Sequence, residues 1–399
     1  MSGDEHPLLR LWARLERGEA VVAGVLSGTS ADGIDVALLR FGVAGRPTPL
    51  AFGTRPFPEP LRAALRSALD GAALDARTTA LLTRDLGRAF GAAARALADA
   101  HGLVLDLVGS HGQTVYHHDG VEPAGAATLQ LGDGDFVAAA AGALTVSDFR
   151  PADLALGGEG APLSAALDPE LFPDLPRPAA ILNLGGIANV TFLAPEGATL
   201  AFDTGPANAL LDGLARLALG QPFDRDGATA ARGRVAPELL EELLAHPFLD
   251  RPPPKSTGRD TFGQPYVAGV RTRARALGLA PEDLLATATE LVAASVAQAC
   301  ERFLPARPRA LVLCGGGARN RALAAALARR TGLPTSASDV HGLAAEAREA
   351  TVFAHLAVRA VLHRPSTEPG LTGARRGGVL GKLSCPPIPP RAAAHGPFS

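Results

Sequence analysis

Residues 22–40 read VAGVLSGTSADGIDVALLR, and residues 180–194 read AILNLGGIANVTFLA. Each is an apolar run, a tight loop of Gly and small polar residues, and a second apolar run, which is the pattern of a β-hairpin. A glycine loop at the tip leaves backbone N–H groups bare and lets an anion come close. In the first hairpin Ser27, Thr29 and Ser30 add hydroxyl donors beside Gly28, Ala31, Asp32 and Gly33, so this loop suits a phosphate. In the second, Gly185, Gly186 and Asn189 stand at the matching place. One such hairpin in each half of the chain predicts a duplicated fold with a nucleotide held between the halves. Strand-like and helix-like segments alternate through the rest, which argues for an α/β protein.

Composition points to further positions. All but two of the 38 Lys and Arg residues are Arg, and only four Asn occur: Asn183, Asn189, Asn208 and Asn320. All four lie in Gly-rich stretches that follow apolar runs. Asn tolerates left-handed turns and carries an amide donor and acceptor, so these four read as site residues or site-shaping turns. Lys255, one of the two lysines, stands out more weakly in PPPKSTGRD.

Bulk properties exclude several classes. At 399 residues, 47% hydrophobic and 20% charged, the chain is long enough for two domains with real cores. A net charge of −2 leaves no electrostatic footprint for nucleic acid. Three unpatterned cysteines suggest a reducing cytoplasm and no zinc site. The first twenty residues mix charges of both signs and lack the apolar core of a signal peptide. The longest apolar run, residues 136–146, falls short of the ~20 residues that a membrane span needs.

Periodicity predicts helices over residues 8–17, 60–69, 77–101, 136–141, 208–218, 287–303, 320–331 and 344–362, and strands over 103–109, 144–147, 199–202 and 310–314. Residues 148–163 read as a long loop lining a cleft or crossing between domains. Residues 386–399, with Pro pairs and an Ala run, read as disordered.

Several motifs carry chemistry. Gly315, Gly316, Gly317 and Asn320 follow an apolar strand and open a helix, which makes an anion or nucleotide cradle. Their spacing is neither GxGxxG nor GxxxxGK[ST]. Asp32 and Asp35 flank Gly33; each reads either as a turn cap or as a Mg²⁺ contact, direct or through water. Asp203 ends a strand before a Gly-Pro turn and a helix, where α/β sheets place ligands. It reads as a helix cap or as a general base. His111 and Gln113 end another strand, with His117 and His118 close behind. No acid or cysteine stands at metal-ligand spacing there, so substrate hydrogen bonding or a capped turn is favoured and no metal ligand is assigned. Asp148 and Arg150 open the polar 148–163 loop.

Together these stretches resemble the anhydro-N-acetylmuramic acid kinases of the sugar kinase, Hsp70 and actin superfamily. They stand here as GVLSGTSADGIDVAL, GSHGQTVYH, LQLGDG, SDFRPADLALGGEGAPL, NLGGIANVTFL, FDTGPANALLD, FDRDGA, PKSTGRDTFG, LCGGGARNRAL and AREATVFAHLA, over roughly residues 22–380. The resemblance implies two duplicated ribonuclease H-like domains around a cleft holding MgATP. It implies a first domain over residues 21–147 with 364–383 returning to it, a second over 148–363, an N-terminal extension over 1–20 and a tail over 384–399. It implies that 1,6-anhydro-N-acetylmuramic acid, ATP and water give N-acetylmuramic acid 6-phosphate and ADP in cytoplasmic cell-wall recycling. The 27–33 loop is implied to bind phosphate, Gly315–Gly317 with Asn320 to bind nucleotide, Asp203 to be the base, and Glu349 to lie near the sugar with His111, Gln113, Asp148 and Arg150. Relatives are commonly homodimers, but no interface is legible. Where many relatives have Gly-Pro-Gly-Asn, this chain has Gly205, Pro206, Ala207 and Asn208. Two rival readings are a kinase for an ordinary sugar or small acid and an actin- or Hsp70-like ATPase switch.

Overall fold

The computed structural model describes residues 6–28, 31, 33–44, 46–69, 72–119, 125–196, 199–367 and 369–388. Thr29, Ser30 and Asp32 of the first loop, and the expected tail from residue 389, lie outside the described residues. The first hairpin forms as its pattern predicts. β1 (Ala20–Leu26) and β2 (Ile34–Phe41) pair antiparallel, with Leu26 opposite Asp35. β3 (Thr48–Arg55) adds antiparallel to β2, and β4 (Leu107–Ser110) adds parallel to the far side of β1. β5 (Gln113–Asp119) and β6 (Ala126–Leu131) form a separate two-stranded ribbon. β7 (Leu144–Ser147) lies parallel to β4.

The second half repeats this plan. β8 (Ala179–Leu184) and β9 (Ile187–Leu193) are the second hairpin, and β10 (Leu200–Pro206) adds antiparallel to β9. β11 (Leu311–Cys314) runs parallel to β8, and β12 (Thr335–Ala337) runs parallel to β11. β13 (Lys382–Ser384) returns to pair with β7. The sheet orders are β13-β7-β4-β1-β2-β3 and β10-β9-β8-β11-β12. Apart from β13 they are one arrangement used twice: three antiparallel strands, then two parallel ones reached by crossovers. This is the duplicated ribonuclease H-like fold of the actin-like ATPases.

Strand alternation builds the cores. In β1, Val21, Ala23 and Val25 face an outer core shared with the Ala76–Ala100 and Gly134–Ala141 helices, while Ala20, Val22 and Leu26 face a central core. In β8, Ala179 and Ile181 face that same central core, while Ala180, Leu182 and Leu184 face a second outer core. The two sheets thus share one apolar layer, and each burial of a Val, Leu or Phe there is worth about 1.5–3 kcal/mol. The Arg348–Val361 helix is the main filler of that layer. It lies directly on the first sheet: a Cβ added at Gly24 would stand 1.7 Å from Ala350 O, and one at Gly109 would stand 2.0 Å from Phe353 O. Only glycine permits so close an approach. The Arg348–Val361 helix, which falls within the segment expected as the second domain, thus packs directly on the first sheet.

The 148–163 segment differs from the loop expected. Phe149–Ala155 is a helix and Leu163–Ala166 a 3₁₀ turn. Phe149 is buried in the central core, and that anchor outweighs the polar, glycine-rich character of the surrounding sequence.

Candidate active site

Asp203 is the middle residue of β10, which continues to Pro206 beyond the strand end expected from the sequence, and the register against β9 shifts between Asp203 and Gly205. Such an irregularity re-aims a side chain within a strand. The Asp203 N–H donates to Lys255 O at 3.0 Å, and the Thr257 N–H donates to Asp203 Oδ2 at 2.8 Å. The PKSTGR segment is thereby fastened along the aspartate. Asp203 is 6% exposed. Burial pushes its pKa up to about 7, with Glu159 adding to the rise and the Thr257 N–H, Arg150 and Lys255 opposing it. A carboxylate tuned near neutrality can take a proton at physiological pH.

Arg150 reaches this region from the first turn of the Phe149–Ala155 helix. Its Nε donates to His111 Nε2 at 2.8 Å and its Nη1 donates to Gly160 O at 2.6 Å. Since His111 Nε2 accepts, the ring proton is on Nδ1, which lies 3.1 Å from Gly112 O. Burial and the charge of Arg150 hold the His111 pKa well below its ordinary value, so the imidazole is neutral. Burial also lowers the pKa of Arg150, against Glu349, Asp203 and Asp153, so its charge lies within reach of both site acids. Asp153 braces the other side. It is fully buried and accepts from Gly160 N at 2.8 Å, Thr367 Oγ1 at 2.7 Å and Thr372 Oγ1 at 2.8 Å. This network fixes the turn that carries Glu159.

The second hairpin and the 315–317 loop pack together, and the first loop is tied to β5. Beyond β1, Ser27 Oγ is buried without a partner among the described residues, and a Cβ at Gly28 would enter open space. Gln113 Nε2 donates to Gly28 O at 3.4 Å and to Thr114 O at 3.3 Å, which ties the first loop to β5. In the second hairpin, Gly185 O and Gly186 O accept from Asn208 N and Ala207 N, each at 3.0 Å. Asn208 Nδ2 donates to Leu184 O at 2.9 Å, and Asn183 Nδ2 donates to Glu349 Oε1 at 3.0 Å. Asn183 Oδ1 and Asn189 Oδ1 are buried without partners among the described residues. The methyl of Ala207 is buried in the outer core at φ −138°, so this position requires no left-handed turn.

The three glycines after β11 divide their work. A Cβ at Gly315, whose φ is 75°, would stand 2.8 Å from Asn183 Oδ1, and one at Gly317 would stand 2.6 Å from Leu184 Cβ. These two let the loop pack against the second hairpin. A Cβ at Gly316 would meet nothing closer than Asn208 Nδ2 at 3.8 Å, so Gly316 alone offers a bare face. Asn320 Oδ1 caps the Arg321–Thr331 helix through Leu323 N at 3.0 Å, which leaves its amide donor for other partners.

The sequence-predicted residues are only partly brought together. Asp203, Arg150, His111 and Glu349 are linked by bonds or by charge. Glu349 sits at the second hairpin beside Asn183 and Gly185. Asp148 turns elsewhere: its Oδ2 accepts from Ser147 Oγ at 3.1 Å and faces Lys382 Nζ at 3.8 Å at the sheet edge. Asp35 accepts from Thr54 Oγ1 at 2.5 Å. Burial raises its pKa, Thr54 opposes, and Glu349 and Glu346 add to the rise. Among the described residues no group of three His, Cys, Asp or Glu could hold a metal by itself. Sequence reasoning missed Glu159, Thr257 and Asp153. The FRPADLALGGEGAP and PKSTGR stretches were the signals that could have found them.

A family model for anhydro-N-acetylmuramic acid kinase matches residues 20–386. The anhydro-N-acetylmuramic acid kinase of Gloeobacter violaceus is 42% identical over 373 residues, covering 91% of this chain and 98% of the relative. That of Streptomyces coelicolor is 43% identical over 372 residues, covering 91% and 93%. That of Xanthomonas oryzae pv. oryzae is 44% identical over 370 residues, covering 90% and 96%.

Proposed function

The chain belongs to the anhydro-N-acetylmuramic acid kinase family, and from that premise we propose how its residues perform the reaction. The enzyme is a kinase of cell-wall recycling. It converts 1,6-anhydro-N-acetylmuramic acid, ATP and water into N-acetylmuramic acid 6-phosphate and ADP. The observation that carries the reading of the site is Asp203: a buried carboxylate whose pKa is pushed up to about 7, held by the Thr257 N–H and faced by Arg150.

A 1,6-anhydro sugar carries its leaving group within itself, because O6 is bonded to C1. Ordinary inverting glycoside cleavage needs a base for water and an acid for the departing oxygen. Here the γ-phosphoryl group takes the place of the acid. Asp203 removes a proton from the water that attacks C1. The C1–O6 bond breaks, and O6 forms its new bond to the γ-phosphorus as ADP leaves. One carboxylate base therefore suffices. Arg150, held between His111 and Gly160, offers its remaining face to a negatively charged group of the sugar or phosphate.

Phosphoryl transfer depends mostly on positioning and charge neutralisation. Ser27, Gly28 and the bare face of Gly316 fit phosphate oxygens and nucleotide, and the Ser27 hydroxyl, without a partner among the described residues, can serve as a donor to them. Mg²⁺ takes few protein ligands and keeps waters and phosphate oxygens. Asp35, crowded by Glu349 and Glu346, is the carboxylate that would contact its hydration shell. When bound with ATP, the ion neutralises phosphate charge. No helix among the described residues is long and apolar enough to cross a membrane, and the three free cysteines support a cytoplasmic setting.

A coupled assay for ADP release, with and without 1,6-anhydro-N-acetylmuramic acid, tests this function. Release that requires the anhydro sugar supports it. Equal release with ordinary N-acetylmuramic acid, or without any sugar, contradicts it.

A further inference from the structure

Lys255 is one of two lysines in the chain and is 2% exposed. Burying a lysine is costly unless its charge is satisfied. Here its Nζ donates to Phe248 O at 3.2 Å and to Leu249 O at 3.3 Å. It also lies over three aromatic rings, 4.8 Å from the Phe248 centroid, 4.9 Å from Phe303 and 5.9 Å from Phe202. Carbonyl oxygens and ring faces both attract a cation and neither supplies a counter-charge. The cage therefore holds an ammonium without neutralising it. Its backbone carbonyl meanwhile accepts from Asp203 N, and Phe202 of the cage is the residue just before Asp203.

We propose that Lys255 is a positioning residue for Asp203, its caged ammonium keeping the neighbouring carboxylate ionised and its segment holding that carboxylate in place. This rests on the assignment of Asp203 as the base. The lysine does not touch substrate; it acts through the aspartate. A salt bridge in direct contact would hold Asp203 too firmly in its charged form and make it a poor base. An ammonium that donates to backbone carbonyls rather than to the carboxylate lowers the cost of ionisation without taking up the carboxylate oxygens.

Other charges face the same groups. Lys255 is faced by Asp203, by Arg302 on the Pro281–Phe303 helix, and by Asp250 and Arg251 at the end of the Pro247–Asp250 helix. Arg302 donates to Asp250, so these two offset one another. Asp203 is faced by Glu159 and Arg150 as well as Lys255. Burial brings the Lys255 pKa down to about 8, so the charge is present at neutral pH, where the base must act.

The test is the pH profile of kcat for Lys255→Met, which keeps the length and apolar stem of the side chain. The acid limb should move upward by about one pH unit, lowering kcat about fivefold at pH 7, and kcat should approach the wild-type value by pH 9. Lys255→Arg should bring the limb back toward its original position. Phe303→Leu, which keeps the lysine and both carbonyl acceptors, should move the limb the same way by less, and it serves if Lys255→Met does not fold. A loss of kcat that is equal at every pH would overturn the inference and leave a purely structural lysine. So would an unmoved acid limb. Asp203→Asn, run alongside, separates the two levels: an active Asp203→Asn enzyme would defeat the base assignment itself, whereas an inactive one with an unmoved Lys255→Met limb would defeat only this proposal.

Discussion

His111 holds Arg150 through an arginine-to-imidazole hydrogen bond of 2.8 Å, in which the neutral ring is the acceptor. The ring is itself fixed by its contact with Gly112 O and by stacking on Phe353 at a centroid distance of 4.5 Å. The first sheet thereby sets the direction of a cation that lies within reach of acids in the second half. Replacing His111 with Ala should leave Arg150 charged but loosely aimed. Misplacement by about 1 Å can cost roughly 10²-fold. We expect a loss of that order in kcat/KM for the sugar, with ATP affinity little changed. Steady-state kinetics with each substrate varied in turn checks this.

Gly316→Val should abolish or strongly weaken nucleotide binding while the protein still folds, because its side chain would enter open space beside Asn208. Gly317→Val should instead unfold the loop, since its Cβ would stand 2.6 Å from that of Leu184. Thermal melts together with nucleotide titration separate these outcomes. Wild-type affinity in a folded Gly316→Val protein would remove this loop from the nucleotide site.

Stability should depend on pH through two buried groups acting in opposite directions. Burial, with help from Arg359, lowers the His355 pKa to about 3. Between that value and its ordinary 6.5 the unfolded chain binds the extra proton, so this contribution is lost as pH falls through that window. Asp203 is raised to about 7, so the native state binds the extra proton between its ordinary 3.8 and 7. Its burial costs stability at neutral pH, and that cost is relieved on acidification. His355→Gln should therefore lose less stability than wild type between pH 6.5 and 4.5, by up to about 1.4 kcal/mol per pH unit. Asp203→Asn should melt at or above the wild-type temperature at pH 8. Denaturant titrations at both ends of the range check the first, and calorimetry checks the second.

Arg348 and Asp168 form a fully buried ion pair joining the start of the Arg348–Val361 helix to the Asp168–Leu171 turn. Although burial opposes its charge, Asp168 raises the Arg348 pKa above its ordinary value. Asp168→Ala would leave that charge buried and unpaired, a loss of about 3–5 kcal/mol. Chemical denaturation should show it, and a loss below about 1 kcal/mol would mean that water or another group compensates.

What was legible in the sequence follows from how local each signal is. The two hairpins announced themselves because apolar runs and glycine tips lie within about twenty residues, and β1–β2 and β8–β9 pair accordingly. Asp203 was legible from the Gly-Pro turn and helix that follow it, although β10 runs on to Pro206 rather than ending at the aspartate. The Phe149–Ala155 helix was not, since its anchor is the burial of Phe149 in a core assembled from both halves. The placement of the Arg348–Val361 helix was hidden for the same reason: it depends on Gly24 and Gly109, more than 200 residues away. The triple glycine was legible as a motif, but only the packing of Gly315 and Gly317 against Leu184 and Asn183 singles out Gly316. The cage around Lys255 draws on Phe202, Phe248 and Phe303, a combination that no periodicity reveals.

The most direct measurement is the kcat of Asp203→Asn, with products formed in ¹⁸O-labelled water. Asn keeps the size of the side chain and an oxygen to accept from Thr257 N, but it takes no proton. Loss of a positioned base costs about 10²–10⁴ in rate. The prediction is a fall of that size with MgATP binding near normal, and wild-type product that carries solvent oxygen at C1 and phosphate at O6. A variant that retains more than about a tenth of wild-type kcat, or product without solvent oxygen at C1, would contradict the assignment of Asp203 as the base that activates water.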